Sequence, residues 1–367
     1  MTSESTDKSA DQVTVADGGE ANPEPGQPPQ PAGPRQLLGE RRLPSDFLAR
    51  SAIPILLVAT FILFSVLSPG LFFTWTNIRI TLAAQATVLL LSLAATIPLR
   101  AGDFDLSIAA NMVLSGALVG LLYHHGVPVV ACCLLALAVG IVIGLVNSVF
   151  IVGLGLGSLI ITLGMLTLLT GLISVFTSNN VVSTIPPALI TFANQDILGL
   201  PVVVWLGWII ALIVWFIFEF TPLGRYLLFL GGNPSAAALA GLRVARLRTG
   251  SYVAAALISA IAGILLAGSL GSLDPSSTSS YLLPPFTAAF LGTTTIQPGR
   301  FNVLGTVVGL YLLAVGITGL QLLGIQGWVS DVFNGGALIL AIAFARILTL
   351  SGGRLRRTRH VASRAAV

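Results

Sequence analysis

The chain has 367 residues, of which 55% are hydrophobic and 9% charged, with a formal net charge of +4, whereas a soluble globular chain carries about 25% charged residues. So little charge cannot cover a water-facing surface, which excludes an ordinary soluble domain. The charges are also segregated: the acids before Leu48, Asp46 aside, sit in the first forty residues, and the bases cluster in three short stretches separated by nearly uncharged sequence.

Residues 1–46 are rich in Pro, Gly, Ser, Asp and Glu and almost free of large apolar side chains. Ordering them costs entropy that burial cannot offset, so they read as a disordered cytoplasmic tail. They lack the basic start and immediate apolar stretch of a secretory signal. Residues 47–350 read as one transmembrane domain and residues 351–367 as a basic cytoplasmic tail.

Apolar stretches near the ~20 residues that a spanning helix needs run over residues 51–67, 78–98, 106–123, 128–152 and 158–177. Others run over 200–220, 252–270, 282–296, 301–323 and 328–348, about ten in all. The expected fold is therefore all-α and polytopic, with about ten transmembrane helices. The stretch 282–296 is short and opens with Pro284 and Pro285, so it reads as a broken or re-entrant helix, tolerated where protein or a water-filled path covers the backbone. The 39 glycines, with many Ala, Ser and Thr, suit close helix packing in lipid. Cys132 and Cys133 are adjacent in an apolar run and read as small core residues.

Arg35, Arg41, Arg42 and Arg50 precede the first span, Arg225, Arg243, Arg246 and Arg248 lie between the sixth and seventh, and Arg346, Arg354, Arg356, Arg357 and Arg359 follow the last. The positive-inside rule places both termini and the central basic loop in the cytoplasm, which an even number of spans satisfies. Arg79 falls near the outer end of the second span and calls for an acidic partner or a shifted boundary.

Two segments carry polar chemistry. Ala101-Gly-Asp-Phe-Asp-Leu-Ser107 sets Asp103, Asp105 and a hydroxyl before an apolar helix. Capping of that helix is one reading; a polar turn that shapes a solute path is the other, and both can hold. Thr221-Pro-Leu-Gly-Arg-Tyr226 is followed by Gly231-Gly-Asn-Pro-Ser-Ala-Ala-Ala-Leu-Ala-Gly-Leu242. Asn233 as cap, Pro234 at the first position and a Gly241 stop predict a short helix in a cytoplasmic loop. A partly apolar, water-surrounded helix either lies on its own bundle or docks on a partner.

No phosphate-cradling Gly-x-x-x-x-Gly-Lys-Ser/Thr occurs, and Lys8 is the only lysine, so any ATP is handled by another chain. His124, His125 and His360 lack a ligand cluster or nucleophile nearby, and neither a catalytic nor a metal site is assigned. Glu219 and Asp331 fall at span ends, where a side chain can reach water. The Arg354–Arg364 run directly after a span reads as contact with anionic lipid heads, not nucleic acid.

The chain resembles the permease subunits of ribose-type and other simple-sugar ABC importers, which are related to the branched-chain amino acid permeases. The resemblance runs over about residues 51–350. Gly102-Asp-Phe-Asp-Leu-Ser107 is similar to that family's Gly-x-Asp-Leu-Ser segment, and Thr162-Leu-Gly164 with Gly171 to its Thr-Leu-Gly stretch. Gly224-Arg-Tyr226 with Gly232, Asn233, Ala236, Ala237 and Gly241 is similar to its cytoplasmic coupling segment. Gly157 and Leu159 stand where Pro and Phe are common, and Pro298-Gly-Arg-Phe-Asn302 replaces a more Gly-rich turn.

The resemblance implies that Gly232, Asn233, Pro234, Ala236, Ala237 and Gly241 form the helix that couples to an ATPase. It implies also that Asp103, Asp105, Ser107, Asn147, Thr162 and Gly164 belong to the translocation path or a structural turn, with Asn111 and Asn334 as further polar candidates. The partners implied are a second permease copy, a cytoplasmic ABC ATPase that carries the ATP and Mg, an extracytoplasmic solute-binding protein and membrane lipid, in a bacterial plasma membrane. No cofactor is expected in this chain itself. A monosaccharide is the expected solute, with a branched-chain amino acid, nucleoside or signalling molecule as alternatives. An ion-driven secondary transporter is the rival from another class; it calls for carboxylates deep in spans, and only Asp103 and Asp105 come near.

Overall fold

The structure, a computed structural model, describes residues 44–325 and 327–344, with side chains from Ser51 onward. The expectations for the two tails, for Arg35, Arg41, Arg42 and Arg50, and for Arg346 onward lie outside those residues or side chains.

Among the described residues the chain is helical apart from short turns and one small hairpin. The helices are α1 (Pro44–Leu67), α2 (Trp75–Arg100), α3 (Ile108–His124), α4 (Val129–Ser148), α5 (Ser158–Thr177), α6 (Pro187–Asn194), α7 (Val202–Phe220) and α8 (Pro222–Gly232). They continue with α9 (Pro234–Leu239), α10 (Val244–Leu270), α11 (Leu283–Gly292) and α12 (Val303–Leu322), and with α13 (Val329–Phe344). A π-helical turn, Val149–Gly153, prolongs α4.

Six of these have both the length and the hydropathy to cross a membrane: α2, α4 with its π turn, α5, α7, α10 and α12. Two more of the predicted stretches, in α3 and α13, are apolar but shorter, and α1 is apolar over Ser51–Leu67, the part whose side chains are described. The tenth is α11, whose ten residues extend about 15 Å against a hydrocarbon core of about 30 Å. Its shortness has a physical cause at each end: Pro284 and Pro285 occupy the first turn, and Asn302 closes the other side. The Asn302 amide donates to Gly292 O at 3.0 Å and Arg300 O at 3.1 Å while its Oδ1 accepts from Gly305 N at 2.6 Å. One buried side chain thus caps the end of α11 and the start of α12.

The centre is α2, α3 and α10. The second half of α2 is buried without a break from Ala86 to Arg100, and α10 packs on α2, α3 and α4. Glycine makes these crossings possible: a Cβ on Gly263 would lie 1.9 Å from Met112 O, and one on Gly144 2.8 Å from Tyr252 O. The outer faces of α1, α4, α5 and α7 expose Ile, Leu, Val and Phe, as a lipid-facing wall does.

Chain direction sorts the polar ends. Arg100, Arg225, Arg243, Arg246, Arg248 and Arg300 gather where α2 ends and α10 and α12 begin; this is the basic end. At the opposite end the only described arginine, Arg79, pairs with Asp196 at 2.7 Å, so the acidic partner its position called for is present. Asp196 lies on a hairpin, Asp196–Ile197 with Leu200–Pro201, whose two turn residues Leu198 and Gly199 both have positive φ.

Candidate functional site

The site is built at the basic end from the loop between α7 and α10 and the turn between α2 and α3. The chain leaves α7 through an extended Thr221 and re-enters a helix at Pro222. The corner is so tight that a Cβ on Gly224 would lie 2.1 Å from Phe218 O. It is held by a residue that the sequence reading passed over, because the second predicted span stopped at Pro98. Buried Arg100 donates to Gly224 O and Phe218 O at 3.2 Å and to Phe301 O at 3.1 Å. Its guanidinium lies 4.3 Å from the Phe218 ring centroid and 3.7 Å from Glu219, which also accepts from Gln297 at 2.9 Å. Glu219, expected to turn to water, is thus part of this network.

The far end of α8 meets the same turn backbone to backbone. A Cβ on Gly231 would sit 2.3 Å from Arg100 O, and Gly102, at φ +87°, would place its own 3.2 Å from Gly231 Cα. Next comes the predicted short helix, α9. Asn233 is its cap, its Oδ1 accepting from Ala236 N at 2.9 Å, with Pro234 in the first turn. Gly241, at φ +80°, ends it, and Leu242 N donates to Ala237 O at 3.1 Å. Ala237 faces inward, fully buried, whereas Leu239 is 90% exposed. The outward apolar residue of α9 is therefore Leu239, which the sequence motif did not single out.

The first turns of α10 close the ring. Arg248 donates from Nε and Nη2 to the two oxygens of Asp103, both at 2.7 Å, a paired geometry that fixes orientation as well as distance. Asp103 is consequently engaged with α10 and does not cap α3. Asp105 takes the local role: its Oδ1 accepts from Ser107 N at 3.0 Å and from the Ser107 hydroxyl at 2.6 Å. That hydroxyl accepts in turn from Asn147 Nδ2 at 2.8 Å, two residues before the π turn. Asp105 Oδ2, Asn147 Oδ1 and the Tyr252 hydroxyl are buried without a hydrogen-bond partner among the described residues, so this cluster keeps hydrogen-bonding capacity that its neighbours do not use.

The other path candidates lie elsewhere. The Thr162 hydroxyl bonds Ser158 O in its own helix at 2.9 Å, and Ser158 Oγ accepts from Phe104 N at 3.3 Å. Gly164 is on the opposite, open face of α5, beside Leu163, Thr167 and Gly171. Asn111 joins α3 to α10 by donating to Ala256 O and Ser259 Oγ. Arg248 was legible only as loop charge, since its partner Asp103 lies 145 positions away.

The arrangement is mechanical. Arg100 ties the α7–α8 corner to the end of α2, and Arg248 ties the α9–α10 junction to the same turn. Asp105, Ser107 and Asn147 then connect that turn to α4. A displacement of α9 therefore has a hydrogen-bonded route into α2, α3, α4 and α10. Among the described residues no three His, Cys, Asp or Glu side chains converge as metal ligands.

The model of the family described as "Branched-chain amino acid transport system / permease component" matches residues 77–342. The chain is 30% identical over 314 residues to the autoinducer 2 import system permease protein of Photorhabdus laumondii, covering 83% of this chain and 93% of the relative. It is 29% identical over 314 residues to the ribose import permease protein of Escherichia coli K12, covering 83% and 96%. No solved structure matches the chain. The family match takes in the Asp103 turn, the capped helix α9 and the arginines that join them, and the chain belongs to this family of transport-system permease components.

Proposed function

We propose that the chain is the membrane subunit of an ATP-driven importer of a monosaccharide-class solute, with α9 as the element that receives movement from a cytoplasmic ATPase. The observation that carries the reading is Leu239, 90% exposed at the tip of a capped six-residue helix. Both flanks of that helix are tied to the α2–α3 turn. The names of the relatives, an autoinducer 2 and a ribose import permease, support a sugar-like solute over a branched-chain amino acid.

In this reading the basic end faces the cytoplasm by the positive-inside rule, and both termini lie there with it. ATP and Mg are held by the ATPase, a binding protein delivers the solute on the opposite side, and a second permease copy completes the path. We place that copy against the open face of α5, where Gly164, Thr167 and Gly171 form a small-residue groove of the kind that lets helices approach in lipid. The ion-driven alternative is disfavoured because Asp103 is neutralised by Arg248 and Asp105 is held by Ser107.

The test is Leu239→Asp in the full transporter. Because the side chain is outside the core, the variant should insert and melt like the parent, lose retention of the ATPase in detergent, and lose at least tenfold in uptake of the transported sugar from a radiolabelled panel. Parental uptake with the ATPase still bound would remove α9 from the coupling role. A charge at Ala237 is the poorer probe, since that methyl is in the core.

A further inference from the structure

At the basic end, the close of α2, the end of α8, the end of α11 and the turn that leads into α12 enclose a cavity of about 300 Å³, at the lower end of the range for ligand sites. Its lining is of two kinds. Phe104, Phe290 and Phe301 supply an apolar wall, with ring centroids 6.2 Å apart in the stacked pair Phe104 and Phe290 and 5.2 Å apart in the edge-on pair Phe290 and Phe301. Arg100 and Arg300 supply positive charge.

Three observations mark this space as a site for an anion. The first is a surplus of charge. Glu219, 3.7 Å from Arg100, offsets one arginine, but Arg300 adds a second positive charge within electrostatic reach of the first. Among the described residues the Arg300 side chain makes no ion pair and no hydrogen bond. Second, the neighbouring helix ends do not need these cations. C-terminal carbonyls attract positive charge, yet those of α2 already accept from the amides of Ala101, Gly102 and Asp103, and those of α11 from Thr293 and Thr294. Third, Arg100, 5% exposed, lines the cavity with donors to spare. Its guanidinium has more N–H groups than the three that donate to Gly224 O, Phe218 O and Phe301 O.

The phenyl walls keep the local dielectric low, so an arginine–anion contact here is stronger than at an open surface. Arginine's planar fork matches carboxylate and phosphate alike. Two arginines against one carboxylate favour the phosphate, which carries a charge of about −1.5 to −2 at neutral pH. The rings then bound a compact organic body.

We propose that this cavity binds a small organic phosphate, held by Arg300 and Arg100 with its body against Phe104, Phe290 and Phe301. Its occupant meets Gly102 of the α2–α3 turn and Gly231 of α8 together, the two sides of the close backbone contact described above. Two sources offer this chemistry, a soluble phosphate ester and the headgroup of an anionic lipid. Neither is the transported solute, which the import reading makes a neutral sugar.

The experiment places the purified full-length chain in phosphatidylcholine nanodiscs and dialyses it to equilibrium against radiolabelled D-ribose 5-phosphate, with no ATP and no transport step. The parent should bind the ester, inorganic phosphate should compete, and excess D-ribose should not. Arg300→Gln and Gly232→Asp should each weaken binding about tenfold, the worth of one hydrogen bond to a charged group. Both positions are exposed, and a Cβ on Gly232 meets nothing within 4 Å, so neither change enters the core and misfolding of one variant leaves the other decisive. A parent that binds no ester but retains phosphatidylglycerol through delipidation, where both variants lose it, assigns the site to a lipid head. Absence of both ligands, or binding unchanged in the two variants, overturns the anion site. Displacement of the ester by D-ribose overturns it equally, since the cavity would then belong to the solute.

Discussion

At the basic end Arg100 and Arg248 spend their donors on Gly224, Phe218, Phe301 and Asp103, whereas at the other end of the same helix α2 the polar groups of Thr81 and Gln85 face a cavity and meet no side-chain partner. A buried group that is paired adds rigidity and direction; a polar group left open near the membrane interior is costly unless water or a ligand meets it. The two ends of one bundle thus differ in kind, one with its buried polar groups paired and the other with polar groups left open to a cavity.

The comparison breaks most visibly at Arg100. Arg100→Met strips partners from three carbonyls and leaves Glu219 without its cation, so it should cost about 3–5 kcal/mol, as removal of one partner from a buried ionic network does. Gln85→Leu, by contrast, should leave thermal unfolding in detergent unchanged or raised. An equal loss in the two variants would make the cavity a structural element and dissolve the contrast.

A smaller effect sharpens the contact between α8 and the turn. Gly231→Ala forces a methyl against Arg100 O and should cost about 1–3 kcal/mol, the range of overpacked cores, in the same unfolding assay; parental stability would show that the turn yields freely. Smaller again is the tie to α10. In a double-mutant cycle, Asp103→Asn and Arg248→Gln should show a coupling of about 1–2 kcal/mol, since paired residues in contact are non-additive. Additivity would leave the α9–α10 junction without its link to the turn.

The smallest effect belongs to the loop at the opposite end, where exposed Asp274 accepts from the Ser276 amide and hydroxyl, both at 2.8 Å. These bonds hold its carboxyl below the usual carboxylate range. Its folded pKa is the lower one, so the stabilisation is present above the unfolded value and fades as pH falls through the folded value. Protection of the Ser276 amide, its exchange measured against the intrinsic rate at each pH, should fall only on acidification, and Asp274→Asn should flatten that response.

Much of the local structure was legible because it depends on neighbours in sequence. Asn233, Pro234 and Gly241 are cap, first-turn and stop residues whose preferences operate within a few positions, and α9 forms where they predict it. Pro284 and Pro285 likewise foretold a short α11. The partners of the two carboxylates were not legible. Asp103 and Asp105 are two residues apart and chemically alike, yet one reaches an arginine 145 positions away and the other turns back to Ser107.

The sequence by itself determined that this is a membrane chain, where most of its apolar spans lie, and which loop carries the short capped helix α9, although α10 begins eight residues before its predicted start. Those outcomes follow from hydropathy, caps and charge counts, which are local sums. Only the tertiary structure decided that Arg100 anchors the loop, that Leu239 and not Ala237 faces out, and that Gln85 and Thr318 share one cavity. Each of these depends on how far one helix is rotated and slid against another. Glycine-spaced packing sets that geometry, at Gly263 on Met112 and Gly231 on Arg100, between residues far apart along the chain.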